Sequence, residues 1–294
     1  MKKRLLVLLC IVLTLALIMP FGAFAVGEDE PEPVADVSVV EELDEPKPDP
    51  TNIPVYVDGE RIELGVPATL IGTTTYVPIR AFATALGADS IVWSASNGSV
   101  CIDYKGYTIE AVCGGTYLIA NCRCLYTPTG TFLVNGTFMA PLRALAKAFG
   151  ADVTWDATYG RAYVETGEDG LQCGNDYYDS DDVYWLSHII NAEARGESLI
   201  GKIAVGNVVL NRVDSSSFPN SVYSVIFQRN QFTPTFDGSI YLNPSYESYI
   251  AAKLVLDGAD VVGDALFFAQ KNLRCWAYYN RCLCDTIGGH AFYY

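Results

Sequence analysis

The chain has 294 residues, 50% of them hydrophobic, and a formal net charge of −15. That length suffices for two domains, each with its own core. The acidic balance argues against nucleic acid as a partner, because phosphate needs a basic face to neutralise it. It also leaves recognition of any anionic polymer to a shaped groove with hydrogen bonds and aromatic contacts.

Met1-Lys2-Lys3-Arg4 forms a positive n-region, Leu5 to Met19 an apolar run, and Ala23-Phe24-Ala25 a small-residue cleavage site. Residues 1–25 therefore read as a secretory signal peptide and the protein as exported. A retained membrane anchor is the alternative, but an apolar run of roughly 15 residues is short for a bilayer. No further long apolar segment follows, so no membrane association is expected after cleavage. Cys10 lies inside the apolar run. Cys101, Cys113, Cys122, Cys124, Cys173, Cys275, Cys282 and Cys284 remain, an even set outside the reducing cytosol, for which disulfides are the default. A zinc site at Cys275, Cys282, Cys284 and His290 is the alternative, although the spacing matches no paired CxxC site. No metal and no cofactor is expected.

Residues 26–51 are acidic and Pro-rich, with ten carboxylates against one lysine between 27 and 50. Such a segment buries too little apolar surface to offset its ordering entropy and reads as a solvated tether.

An internal repeat fills residues 52–166. Tyr76-Val77-Pro78-Ile79-Arg80-Ala81 and the run to Gly87-Ala88-Asp89 return as Met139-Ala140-Pro141-Leu142-Arg143-Ala144 and the run to Gly150-Ala151-Asp152. Trp93 and Trp155 recur one residue closer together. Each copy reads as a strand, a short helix started by Pro and stopped by Gly, then a strand carrying Trp. These residues resemble the bacterial stalk domain named after the N-terminal domain of copper amine oxidase. The resemblance implies a small α+β spacer or wall-associating module. It does not imply oxidase chemistry, since copper needs a cluster of histidines and the module contains none: His188 and His290 both lie beyond it.

Residues 167–180 are turn-rich and read as a second linker. From 181 to 294 the pattern is largely helical. Asp181-Asp182 starts a helix expected to run to Ala194, along which Asp182, Leu186, Ile189 and Glu193 share one face. Glu193 thus continues an apolar stripe at the inner end of a buried helix, where desolvation disfavours its charge. A general acid and a helix-terminal Glu paired with arginine are both compatible with that spacing.

The run Ile190-Asn191-Ala192-Glu193-Ala194-Arg195-Gly196-Glu197, with Gly201 to Val213 after it, resembles the spore-cortex-lytic cell wall hydrolase family. The likeness continues through Phe218 to Tyr223, Gln231 to Pro234, Ala265 to Phe268 and Thr286 to Tyr293. It implies a mostly α, lysozyme-like domain similar to lytic transglycosylases, with Glu193 as the catalytic acid. Gln231, Phe232, Thr233, Phe268 and His290 are the implied substrate-binding positions. Arg195 and Glu197 read as a structural ion pair, and Asn211 and Arg212 as a cap or brace on the second helix. Between Phe268 and Asp285 the chain departs from the family, with three cysteines and the aromatics Trp276, Tyr278 and Tyr279. No second acid stands out, Asp237, Glu247, Asp257 and Asp285 being scattered. The expected architecture is therefore multidomain. The expected activity is cleavage of peptidoglycan glycan strands by a monomeric, secreted, wall-associated protein, with a single Glu acting as in a lytic transglycosylase. A hydrolytic muramidase and a non-catalytic wall-binding protein are the competing readings.

Overall fold

The computed structural model describes residues 49–294. The expected signal peptide and nearly all of the acidic tether lie outside the described residues. No helix among the described residues is long and apolar enough to cross a membrane.

The repeat builds the first half. Strands β1 (Val55–Val57), β2 (Glu60–Arg61), β3 (Thr69–Ile71) and β4 (Thr74–Pro78) lead into α1 (Ile79–Ala85). There follow β5 (Ser90–Ser94), β6 (Ser99–Tyr104), β7 (Tyr107–Val112), β8 (Tyr117–Ala120) and β9 (Arg123–Tyr126). The second copy supplies β10 (Phe132–Val134), β11 (Thr137–Pro141), α2 (Leu142–Ala148), β12 (Ala151–Asp156) and β13 (Arg161–Thr166). Both helices begin after a proline with φ near −60°, at Pro78 and Pro141, the value its ring imposes. Both stop before a glycine in the left-handed region, Gly87 and Gly150. At Gly150 a Cβ would also lie 2.3 Å from the Gly170 carbonyl carbon, so two requirements for glycine coincide there.

The two copies are joined about a pseudo-twofold axis. β4 and β11 pair antiparallel with Val77 opposite Ala140, in the sheet β10-β11-β4-β3. Val77 and Ala140 are equivalent residues of the two repeats, so the axis passes between them. A second sheet runs β12-β13-β1-β2, with β1 parallel to β13, and β5 to β9 form a meander. Phe82 of the first copy and Phe149 of the second, which occupy different positions of the repeat, meet edge to face at 6.3 Å in the shared core.

The second half begins with α3 (Gly174–Tyr177) and α4 (Ser180–Ala194). The cap of α4 is Asp179, two residues earlier than the start expected at Asp181; its carboxylate accepts from the Asp181 and Asp182 amides. α5 (Leu199–Asp214) is capped by Ser198 and α8 (Tyr246–Leu256) by Ser245. Between them lie α6 (Val222–Ile226), α7 (Pro234–Asp237) and a 3₁₀ turn at Ser239–Tyr241. Leu186 and Ile189 of α4 are fully buried, as the stripe requires. Gly206 lets α4, α5 and α8 approach: a Cβ there would meet Ile190 Cδ1 and Val255 Cγ2 at 2.9 Å.

The chain ends in β14 (Phe267–Gln270), α9 (Trp276–Asn280), β15 (Leu283–Ile287) and β16 (His290–Tyr293), whose strands form a sheet in the order β14-β16-β15. The expectation of a mostly helical half is thus too narrow. Helices and a closing antiparallel sheet share the work, because Phe267 to Gln270 and His290 to Tyr293 are too short for a helical period to develop.

The 167–180 segment is packed down along its length. Leu171 joins the first core, the Gly174 amide donates to the Asn121 carbonyl at 2.7 Å, and Tyr178 reaches the second half. There Asp257, at the end of α8, accepts from Arg123 Nε at 2.9 Å and Nη2 at 2.7 Å, from Lys147 Nζ at 2.7 Å and from the Tyr178 hydroxyl at 2.7 Å. Its side chain is 1% exposed. Burial alone would raise this carboxyl; the three hydrogen-bonding partners outweigh it and hold it below the ordinary range. Asp257 is therefore a buried bridge between the two halves, where the sequence offers only a scattered acid. Cys124, from β9, sits in the core of the second half, its thiol pushed up to about 11 by burial.

The eight described cysteines are free thiols in the structure, so the disulfides expected from an exported chain are not formed in it. Cys124 is engaged in packing and Cys284 donates to the Val262 carbonyl at 3.1 Å, which gives these two sulfurs non-covalent roles.

Candidate active site

Glu193 sits in the last turn of α4 and is half-buried. Desolvation raises its pKa, the negative charge of Asp237 raises it further, and the positive charge of Arg212 partly offsets both. The carboxyl is thus held toward its protonated form beside a cation, the environment a general acid needs.

Arg212 is the residue that sequence reasoning underrated. It lies in the last turn of α5, 5% exposed. Its Nε donates to the Leu266 carbonyl at 2.8 Å, which ties α5 to the segment entering β14. Its guanidinium faces the rings of Phe218, Phe232 and Phe267 at 5.0, 5.2 and 5.7 Å. Burial draws its pKa down to about 10 while Glu193 opposes the fall. Its buried Nη1 has no hydrogen-bond partner. The brace expected at Asn211 and Arg212 exists, for Asn211 Nδ2 donates to the carbonyls of Gly263 and Ala265. Arg212 does more, as the counter-charge to Glu193. The cue was present: an arginine closing the apolar run Ala204 to Leu210 must find a partner or lose its charge.

Phe232, Phe268 and His290 gather beside this pair. Phe232 is buried and lies 6.3 Å from Phe268, whose ring lies 5.4 Å from that of His290. Gln231 and Thr233 flank Phe232 and are exposed, so their amide and hydroxyl are open to a ligand while the phenyl ring between them is core. Asp237 is exposed at the end of α7 and is held ionised by hydrogen bonds from Ser239. Its charge is the carboxylate charge that bears on Glu193, a relation that its place in a loop-rich stretch concealed.

Glu197 does not pair with Arg195, which is exposed. It turns instead to the closing hairpin: the Gly289 amide donates to Glu197 Oε2 at 3.0 Å, and His290 Nδ1 lies 3.9 Å from Oε1. A Cβ on Gly288 would fall 1.9 Å from Oε2. Only glycine lets the backbone come so close. Burial lowers the His290 pKa, with Glu197 opposing, so the imidazole stays neutral near pH 7. Lys202, buried under Glu197, donates to its carbonyl and to Glu247 Oε2. The other histidine, His188, is bonded to the Ile240 carbonyl at 2.7 Å. Among the described residues no three His, Cys, Asp or Glu side chains gather as a metal site would require.

The stretch that departs from the family pattern places three aromatics on the surface. Trp276, Tyr278 and Tyr279 are exposed, with Trp276 5.6 Å from Phe267 and the Arg281 guanidinium 5.2 Å from its ring.

Comparison with known proteins gives the same two halves. Residues 196–293 match the family described as Cell Wall Hydrolase, and residues 56–164 the family described as Copper amine oxidase N-terminal domain. Glu193 falls just ahead of the first of these matches. The chain is 37% identical over 117 residues to a spore cortex-lytic enzyme of Bacillus cereus, covering 39% of this chain and 45% of that protein. It is 34% identical over 116 residues to the spore cortex-lytic enzyme of Halalkalibacterium halodurans, covering 39% of this chain and 35% of that one. The chain thus spans less than half the length of these curated relatives. The solved catalytic domain of the germination-specific lytic transglycosylase SleB from Bacillus anthracis is 36% identical. That match covers 40% of this chain and 97% of the domain, with a TM-score of 0.38. The chain therefore carries a domain of the Cell Wall Hydrolase family at its C-terminal end, preceded by a module of the copper amine oxidase N-terminal domain family.

Proposed function

We propose that this protein is exported and cleaves the β-1,4 bond between N-acetylmuramic acid and N-acetylglucosamine in peptidoglycan, with Glu193 as the acid in a lysozyme-like, lytic transglycosylase-like site. The observation that carries the reading is the half-buried, charge-averse Glu193 beside the buried Arg212. Identity to relatives named as spore cortex-lytic enzymes supports the choice of polymer.

In this mechanism protonated Glu193 gives its proton to the glycosidic oxygen, and the bond from that oxygen to muramic acid C1 breaks. The substrate's acetamido oxygen supports the positive charge at C1. The C6 hydroxyl of the same sugar then attacks C1 and returns its proton to Glu193, leaving a 1,6-anhydro end. Arg212 stabilises the carboxylate between the two proton transfers. Gln231 and Thr233 offer polar contacts to acetamido groups. Spore cortex and vegetative wall both contain the required bond.

Asp237 supports a second reading. An ionised carboxylate close enough to raise Glu193 resembles the second group of a two-carboxylate glycosidase, which would activate water and make the protein a muramidase. Digestion of peptidoglycan in oxygen-18 water separates the two. Transglycosylation yields anhydro ends, one water lighter than hydrolysis products and free of label; label at most new muramic acid ends would establish hydrolysis. A well-folded Glu193→Gln protein that still solubilises glycan would overturn both.

A further inference from the structure

The repeat makes two pockets, one for each copy of its motif, and they are related by the pseudo-twofold axis. One cavity, of about 510 Å³, has Arg143 and Trp155 in its lining, with Thr74 from the opposite repeat's hairpin. The other, of about 310 Å³, has Arg80, Trp93 and Thr137 in the equivalent places. In each, the helix and the Trp-bearing strand come from one repeat and the hairpin from the other. The arginine and tryptophan that define the repeated motif are therefore not core residues. Trp93 and Trp155 are 36% and 39% exposed, and both arginines are exposed.

The larger cavity has one more feature. Thr127, between β9 and β10, lines it and is 0% exposed, yet its hydroxyl has no hydrogen-bond partner. Buried hydroxyls are ordinarily satisfied, and this one lies under the cavity wall without a partner. A half-exposed indole offers a flat apolar face to a sugar ring. A guanidinium offers a planar fork to a carboxylate.

We propose that the Arg143–Trp155 pocket of the N-terminal module binds a pyranose bearing a carboxylate, with the Arg80–Trp93 pocket as a weaker second copy. Trp155 stacks on the ring and Arg143 clamps the carboxylate. Because Asp257 locks this module to the second half, a glycan held here is presented at a fixed offset from Glu193. The choice of a muramic acid sugar as the probe rests on the function proposed above; the chemistry of the pocket does not.

The test uses the full chain carrying Glu193→Gln, so that the probe survives. It is titrated calorimetrically with a soluble tetrasaccharide of alternating N-acetylglucosamine and N-acetylmuramic acid with free lactyl carboxylates, and with the same tetrasaccharide carboxyl-reduced. Adding Arg143→Met or Trp155→Ala should weaken one binding event about tenfold or more, the scale of losing a charge-assisted hydrogen bond or an aromatic platform. Carboxyl reduction should weaken the same event in the parent and have no further effect in Arg143→Met. Trp155→Tyr should restore most of the affinity. Isotherms that superimpose for parent, Arg143→Met and Trp155→Ala, or that ignore carboxyl reduction, would overturn the proposal. The reduced sugar keeps the test decisive even if one variant misfolds. With Glu193 intact, Arg143-dependent binding without glycan cleavage would fail only the enzymatic reading, and cleavage with Arg143-independent binding would fail only this one.

Discussion

Arg212 and Asp237 pull the Glu193 proton in opposite senses, and this gives the site a testable pH signature. A general acid works while protonated, so its rate falls as pH rises through its pKa. Arg212→Met removes the cation that favours the carboxylate and should move the alkaline limb of kcat/KM to higher pH. Asp237→Asn removes the anion that disfavours it and should move that limb to lower pH. Both shifts are read from pH–rate profiles on solubilised glycan. Glu193→Gln should keep the far-ultraviolet dichroism and lose about a hundredfold or more in rate, the usual scale for a general acid. If Asp237 were a base for water, Asp237→Asn would show a loss of that size instead of a displaced limb. The half-buried placement of Glu193 was legible in the sequence because Asp182, Leu186 and Ile189 share its helical face, whereas a role as the acid was implied only by the family resemblance. Arg212 and Asp237 were not, since they reach Glu193 from other elements and no local period records such a meeting.

The closing hairpin shows the same limit among elements. Gly288 and Gly289 connect β15 to β16, and nothing nearby in sequence announces that Glu197 occupies the space beside them. Gly288 has φ +58° and Glu197 Oε2 where a Cβ would be. Gly288→Ala should therefore cost about 1–3 kcal/mol from backbone strain alone. Displacing Glu197 adds to that, and the effect appears as a lower Tm and reduced activity at the growth temperature. The strand–helix–strand units of the repeat, by contrast, were readable from Pro, Gly and Trp, because those residues act locally on the backbone. The strands β6 to β9, which continue the meander between the Trp93 strand and the second copy, were less visible.

At the scale of the whole molecule, Asp257 decides whether the two halves move together. Its folded pKa lies below the ordinary carboxylate value, so its contribution to stability is fully present above that value and is lost as pH falls through the lower one. Asp257→Asn leaves Arg123 buried without its counter-ion and should cost about 3–5 kcal/mol, the scale for breaking a buried ion pair. Thermal melts from pH 7 down to pH 3 should show this loss at neutral pH and a weaker acid dependence in the variant. Arg123 and Asp257 are 134 positions apart, a separation over which composition and spacing carry no information. That distance explains why residues 167–180 read as a linker and Asp257 as one of several scattered acids.

The parallel pairing of β1 with β13 sets Val55 beside Ala162, and this constrains the order in which the chain can acquire its structure. A polypeptide emerging from its N-terminal end presents the first repeat while its partners, the β10–β11 hairpin and β13, are still unmade. Neither edge of that half-built sheet can close, and both sheets wait on contacts of long sequence separation, the kind that slows folding most. Refolding of the N-terminal module should thus be governed by its second repeat, and a chain halted before residue 161 should remain open to proteolysis throughout its length.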